Sequence, residues 1–124
     1  MLNMVKLHTI ELNDEIYNKA YRVVTMDMKS LGLDGNPNIL TYPIGEWFYL
    51  SEKDVEEGKG SWGGIWVGRT LGKARSVAKY MKKKHNIETR IFDAAIDKIL
   101  FANDYRVKTN GIYLMDEHIF MDLQ

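Results

Sequence analysis

The stretch Gly58-Lys59-Gly60-Ser61-Trp62-Gly63-Gly64-Ile65-Trp66-Val67-Gly68-Arg69-Thr70 holds two of the three tryptophans and half of the ten glycines of the chain, and it runs directly into the segment that ends at His85. Glycine admits positive φ and close backbone approach, while tryptophan brings a broad apolar face with one N–H donor. Together they suit a backbone that passes close under a flat ring. Thr70 has the chemistry of a helix N-cap, and Leu71, Ala74, Val77, Ala78 and Met81 recur behind it at three- and four-residue spacing. That spacing predicts a helix over 70–85 with one apolar face. Lys73, Lys79, Lys82 and Lys83 take the opposite face. The basic residues of the last turns suit the negative end of the helix dipole, and Asn86 suits a left-handed C-terminal position.

Upstream, 21–26 (Tyr-Arg-Val-Val-Thr-Met) is rich in β-branched and aromatic residues and reads as a buried strand. Asn13-Asp14-Glu15 offers an N-cap with acids in the first turn, so Ile16, Tyr17 and Ala20 are expected on a short helix. Residues 1–12 show no firm period and are taken as an arm or an edge strand. Turn formers fill 31–38, and the extended region 39–50 is divided by Pro43 and Gly45, with a bend or sheet edge at the proline. A short strand is expected over 65–67. Beyond the helix, 89–92, 98–102, 105–108 and 111–115 read as strands, with turns at Asn103-Asp104 and at Thr109-Asn110-Gly111, where Asn-Gly is a strong hairpin signal. The expected fold is a single α+β domain over 1–124, one main helix packed on a mixed, largely antiparallel twisted sheet.

The totals bound the function. A chain of 124 residues buries roughly two-thirds of its unfolded surface, so it needs no staple. Its 17 basic and 17 acidic residues balance to zero net charge, which argues against nucleic acid as a partner. Without cysteine there is no disulfide, thiolate metal site or cysteine nucleophile. Residues 1–10 are broken by Asn3, Lys6 and His8, unlike a signal peptide, and no apolar run reaches membrane-spanning length. These features read as a soluble cytoplasmic protein with no membrane partner.

His8, His85 and His118 have no metal-type spacing, so no metal and no cofactor are assigned. The glycines lack the Gly-x-x-x-x-Gly-Lys-Ser/Thr order of a phosphate loop. The N–H groups of Leu71, Gly72 and Lys73, with Arg69 beside them, suit an anion, although capping by Thr70 accounts for the same residues. The basic helix face, with Arg75 and Lys84, is offset by Glu52, Asp54, Glu56 and Glu57. Trp47, Tyr49, Trp62 and Trp66 suit an aromatic platform for a base or a nicotinamide ring. At least one of Trp62 and Trp66 is expected to be exposed, since the flanking glycines give little apolar cover. The ligand-binding set chosen on these grounds is Trp62, Gly63, Gly64, Trp66, Arg69, Thr70 and Arg75.

Two resemblances to known groups add to this. Arg22 lies on the first clear strand, Tyr49-Leu50-Ser51 ends a later one, and Glu117 follows the last. This order resembles the Arg-Ser-Glu arrangement of ADP-ribosyltransferases. The resemblance implies that Arg22 orients the dinucleotide phosphates of NAD, Ser51 supports the site and Glu117 assists transfer from the nicotinamide-ribose. Where that family has Ser-Thr-Ser, this chain has Leu50-Ser51-Glu52. The second covers more of the chain: the Tyr21-Arg22 strand, the Gly45-Glu46 segment, Gly64-Ile65-Trp66-Val67 before an Ala/Tyr-spaced helix, and a late strand over 106–112. It is similar to small uncharacterised phage and prophage proteins, in which a Gly-Leu-His-Phe-Cys type segment precedes the helix. Trp66 and Val67 stand here for the His and Phe, and no cysteine follows. It implies a source in a mobile element and no established activity.

With no complete catalytic set, the sequence reads as a non-catalytic binding protein, a phage or mobile-element accessory or anti-defence factor. It is expected to engage a nucleotide-like small molecule or a protein partner through the glycine-tryptophan stretch. The alternatives are an ADP-ribosyltransferase-like enzyme acting on NAD and a homo-oligomeric module joined by exposed Tyr and Trp residues.

Overall fold

The computed structural model describes residues 7–32 and 39–119. Residues 1–6, the first part of the expected arm, lie outside the described residues, as do most of the 31–38 turn run and 120–124. The elements run β1 (Thr9–Leu12), β2 (Glu15–Thr25), β3 (Trp47–Tyr49), a 3-10 turn (Glu52–Asp54), β4 (Ile65–Gly68), α1 (Leu71–His85), β5 (Thr89–Ile96), β6 (Ile99–Ala102), β7 (Arg106–Thr109) and β8 (Gly111–His118). One open sheet joins all the strands in the order β3-β8-β5-β2-β4-β7-β6, with β1 on β2. Every ladder is antiparallel. The expected α+β class holds, and among the described residues the parallel component shrinks to one isolated bridge between Ile44 and Leu114.

The pleat of β2 sorts the core. Ala20, Arg22 and Val24 point to one face, while Lys19, Tyr21 and Val23 point to the other. The first face carries the larger apolar cluster, Phe92, Ala94 and Ile96 of β5 with Ile65, Val67, Val107, Ile112 and Leu114, closed over by Tyr42 and half-buried Met28, Leu40, Phe48 and Leu50. On the second face α1 sets Ala74, Leu71, Val77 and Ala78 against Val23, Ile91 and Tyr21. The helix forms where its spacing put it. Thr70 Oγ1 accepts the Lys73 N–H, and Asn86 takes the left-handed conformation with its N–H on the Lys82 carbonyl.

Two turn readings are corrected. Asn13 and Asp14, expected to cap a short helix, both have positive φ, 53° and 67°. They form the two-residue loop of a β1–β2 hairpin in which Leu12 faces Glu15 and Ile10 faces Tyr17. Ile16, Tyr17 and Ala20 are therefore strand residues: pairing with both β1 and β5 overrides the local capping signal. Asn110-Gly111, the strongest hairpin signal, joins no hairpin. β7 pairs with β4 and β6, whereas β8 pairs with β3 and β5, so the chain crosses the sheet there. Gly111 is needed because a Cβ would overlap the Tyr49 ring, and the Asn110 amide oxygen accepts the Lys98 N–H at 2.9 Å. The hairpin lies one turn earlier, between β6 and β7, where Asn103 Oδ1 accepts the N–H groups of Tyr105 and Arg106.

Candidate functional site: an aromatic sheet face and a cleft at the helix start

The glycine-tryptophan stretch folds over β4 and β7 on the helix side of the sheet. Its organising residue is Lys108, which is fully buried. Its ammonium donates to the carbonyls of Gly58 and Gly60 at 2.9 and 3.1 Å, and its methylenes occupy the space a Cβ on Gly64 would fill. Burial holds the Lys108 ammonium below the ordinary lysine range, against the pull of Glu56. Gly63 has φ 86°, and a Cβ there would overlap the Glu56 backbone. Gly64 thus serves close packing against Lys108, and Gly63 close packing against Glu56. Trp66 donates its indole N–H to Ser61 O at 3.1 Å, and the Arg106 guanidinium lies 3.9 Å over its ring. Trp62 is 49% exposed.

Arg69 and Thr70 meet in a cleft of about 310 Å³ with His8 and Asp104. The cleft lies where β1 and β4 meet end to end along β2, since β1 and β4 pair with the edge of β2 opposite β5. Arg69 is held there by Asp104 at 3.5 Å and by the Asn103 carbonyl at 3.5 Å. Arg75 lines a separate cleft along α1 with Lys79, Lys82 and Glu88. The chosen set is therefore split between two clefts, an exposed indole and packing positions.

The larger gathering lies elsewhere. The rung Lys19–Ala95–Tyr113–Trp47 crosses four strands on the helix face, in a part of the sheet that the apolar contacts of α1 do not reach. Tyr17 and Tyr49 flank it, two residues along their strands. Trp47 is the hub, with ring centroids 5.0 Å from Tyr17, 5.5 Å from Tyr49 and 5.7 Å from Tyr113. Tyr49 is 46% exposed, and the other three rings are half-buried. Two carboxylates rim the face. Tyr49 donates to Asp97 at 2.7 Å, and Tyr17 to Glu15 at 3.4 Å. Burial, with Asp97 adding to it, pushes the Tyr49 phenol up to about 12. The Tyr17 phenol is also raised, by loss of solvent and by Glu15. Next along the face, His118 Nε2 meets Asp93 Oδ1 at 2.5 Å, Lys19 lies 3.7 Å from Asp93 Oδ2, and the Tyr21 ring packs beside both His118 and Lys19.

Of the platform expected from Trp47, Tyr49, Trp62 and Trp66, only the first two are in ring contact with one another. Tyr17 and Tyr113 complete it. Tyr17 was legible in the alternation Tyr17, Lys19, Tyr21, but the helical reading of that segment hid it. Tyr113 carried no local signal, because its place beside Trp47 follows from strand order alone.

Arg22 is 8% exposed on the core face, donating to Trp66 O at 2.5 Å and to Tyr42 Oη at 3.0 Å, with its Nε unpartnered. Glu117 lies on the same rung, with Phe92 between them. It is gripped by Arg90 through two hydrogen bonds of 3.0 and 2.8 Å, which hold its carboxyl below the ordinary glutamate range. Ser51 is exposed past β3, beyond the Gly111 end of β8, about 20 Å of strand from Glu117. The fold brings Arg22 and Glu117 to one rung and leaves Ser51 apart.

Among the described residues no three His, Asp or Glu side chains gather as a metal site, and no helix is long and apolar enough to cross a membrane. No protein-family model, curated protein or solved structure matches this chain.

Proposed function

We propose that this chain is a non-catalytic binding protein that engages a protein partner through the aromatic face of Tyr17, Trp47, Tyr49 and Tyr113. The observation that carries the reading is the gathering of these rings, from three strands, on a sheet face where they remain half-exposed. Tyr and Trp supply large contact area at low entropic cost and dominate the binding energy of protein interfaces. Neither cleft near α1 is lined by these rings, which suits a flat contact better than an enclosed small molecule. Together with the likeness to small phage and prophage proteins, the role is that of an accessory or anti-defence factor acting on another protein.

The test uses the double variant Trp62→Phe/Trp66→Phe, which leaves Trp47 as the only tryptophan. Its emission is titrated with peptides, with NAD and with ADP-ribose. A saturable change with peptide, lost on Tyr49→Ala, supports the reading. If the peptides leave Trp47 silent while NAD or ADP-ribose moves it, the reading fails.

A second reading, a nucleotide-like ligand in the cleft of His8, Arg69, Thr70 and Asp104, is favoured by the convergence of Arg69 and Thr70 on one space of about 310 Å³. Asp104 is 91% exposed in its side chain, so its contact with Arg69 yields at little cost to an anion. NAD binding weakened by Arg69→Ala and untouched by Tyr49→Ala would support this cleft over the aromatic face.

A further inference from the structure

We infer that the aromatic face takes a cationic side chain, arginine or lysine, from an extended segment of the partner. The inference rests on the binding role proposed above and deepens it. Aromatic faces attract cations through the ring quadrupole, Trp most strongly. This chain uses that interaction repeatedly: Arg106 stands over Trp66 at 3.9 Å, Lys73 over Tyr105 at 4.4 Å, Arg22 over Tyr42 at 4.5 Å and Lys19 over Tyr21 at 5.3 Å. Among the described residues, no Lys or Arg stands over Tyr17, Trp47, Tyr49 or Tyr113. The largest aromatic cluster among the described residues thus has no cation over its rings.

The charges at its rim agree. Asp97 and Glu15 are exposed, each accepts a phenolic hydrogen bond from a ring of the cluster, and neither forms an ion pair among the described residues. Lys19, the basic residue on the same rung, is turned to Asp93 and the Tyr21 ring. A phosphate brought to this face would meet two carboxylates, whereas an ammonium or guanidinium would meet two carboxylates and uncovered rings. Trp47 and Tyr49 also belong to β3, the outermost strand at that end of the sheet. Its outer backbone edge pairs with no other strand among the described residues, and a segment pairing along it would lay alternate side chains over the rings.

The experiment titrates the full chain, as the single-tryptophan variant above, with a ten-residue Arg/Gly peptide and with its counterpart carrying Gln for Arg. A saturable change in Trp47 emission is expected with the arginine peptide alone. Added salt should weaken it, and Asp97→Asn/Glu15→Gln should weaken it by roughly ten-fold. Asparagine still accepts the Tyr49 hydroxyl, and matching melting curves of variant and parent establish that the fold is kept. Equal binding of the Gln peptide, or affinity for the arginine peptide unchanged by removing both carboxylates, overturns the cationic inference and leaves the binding face standing. Silence of Trp47 toward both peptides, with a response to NAD or ADP-ribose, overturns the inference together with the binding role it rests on.

Discussion

The Tyr49 phenol on β3 donates a 2.7 Å hydrogen bond to Asp97, the residue just past the end of β5, and so ties the sheet edge to the strand two places in. The bond needs the phenol protonated. With the Tyr49 group raised to about 12 in the fold against about 10 in an unfolded chain, folding favours the neutral form. Its contribution to stability is complete below about pH 10 and is lost as pH rises from there toward 12. A tyrosinate absorbance titration should show a late-ionising group near the top of that window, absent in Tyr49→Phe and moved downward in Asp97→Asn. An unchanged titration in both variants would remove the bond from the account.

Gly63→Ala should be severely destabilising, by about 2–4 kcal/mol, because it adds a left-handed backbone penalty to overlap with the Glu56 backbone. Gly60→Ala, whose Cβ would meet nothing, should cost less than about 1 kcal/mol. Urea unfolding of the pair measures the contrast.

Glu117→Gln removes one side of the bidentate pair with Arg90, both side chains being about a quarter exposed. It should cost about 1–2 kcal/mol at neutral pH. Because Arg90 lowers the Glu117 carboxyl in the fold, the contribution is present above the ordinary glutamate range near pH 4 and is lost as pH falls through the lowered value. Melting curves of parent and variant should therefore converge in acid.

Asp14→Gly should stabilise the β1–β2 hairpin by roughly 0.5–1 kcal/mol, since Asp14 holds φ 67° and Asn-Gly is the preferred pair for such a loop. Thermal denaturation checks it. A loss of stability would mean that the loop does not have the mirror-image turn geometry these angles describe.

How much was legible follows from the range of each signal. Thr70, Asn86 and the spacing of Leu71, Ala74, Val77 and Met81 act within a few residues, so α1 could be read with its caps. The β-branched and aromatic runs marked the second half of β2 and, with ends misplaced by a few residues, β5, β7 and β8 for the same reason, whereas 15–20 of β2 carried the local capping signal of a helix. The candidate site was legible in pieces: Trp47 with Tyr49, Arg69 with Thr70. It was not legible as a whole, because Tyr17, Trp47 and Tyr113 are neighbours only through the register of β2, β5, β8 and β3.

The sequence by itself determined an α+β chain with one capped helix, strands on either side of it and no net charge to direct it toward a polyanion, since periodicity, capping and composition are local or summed quantities. Only the tertiary structure decided that Asn13-Asp14 turns a hairpin while Asn110-Gly111 crosses the sheet, that Gly64 makes room for buried Lys108, and that the aromatic surface lies across β2, β8 and β3. Those choices depend on which strand edges pair and which faces are buried, and in a sheet both are set by contacts between residues far apart in the chain.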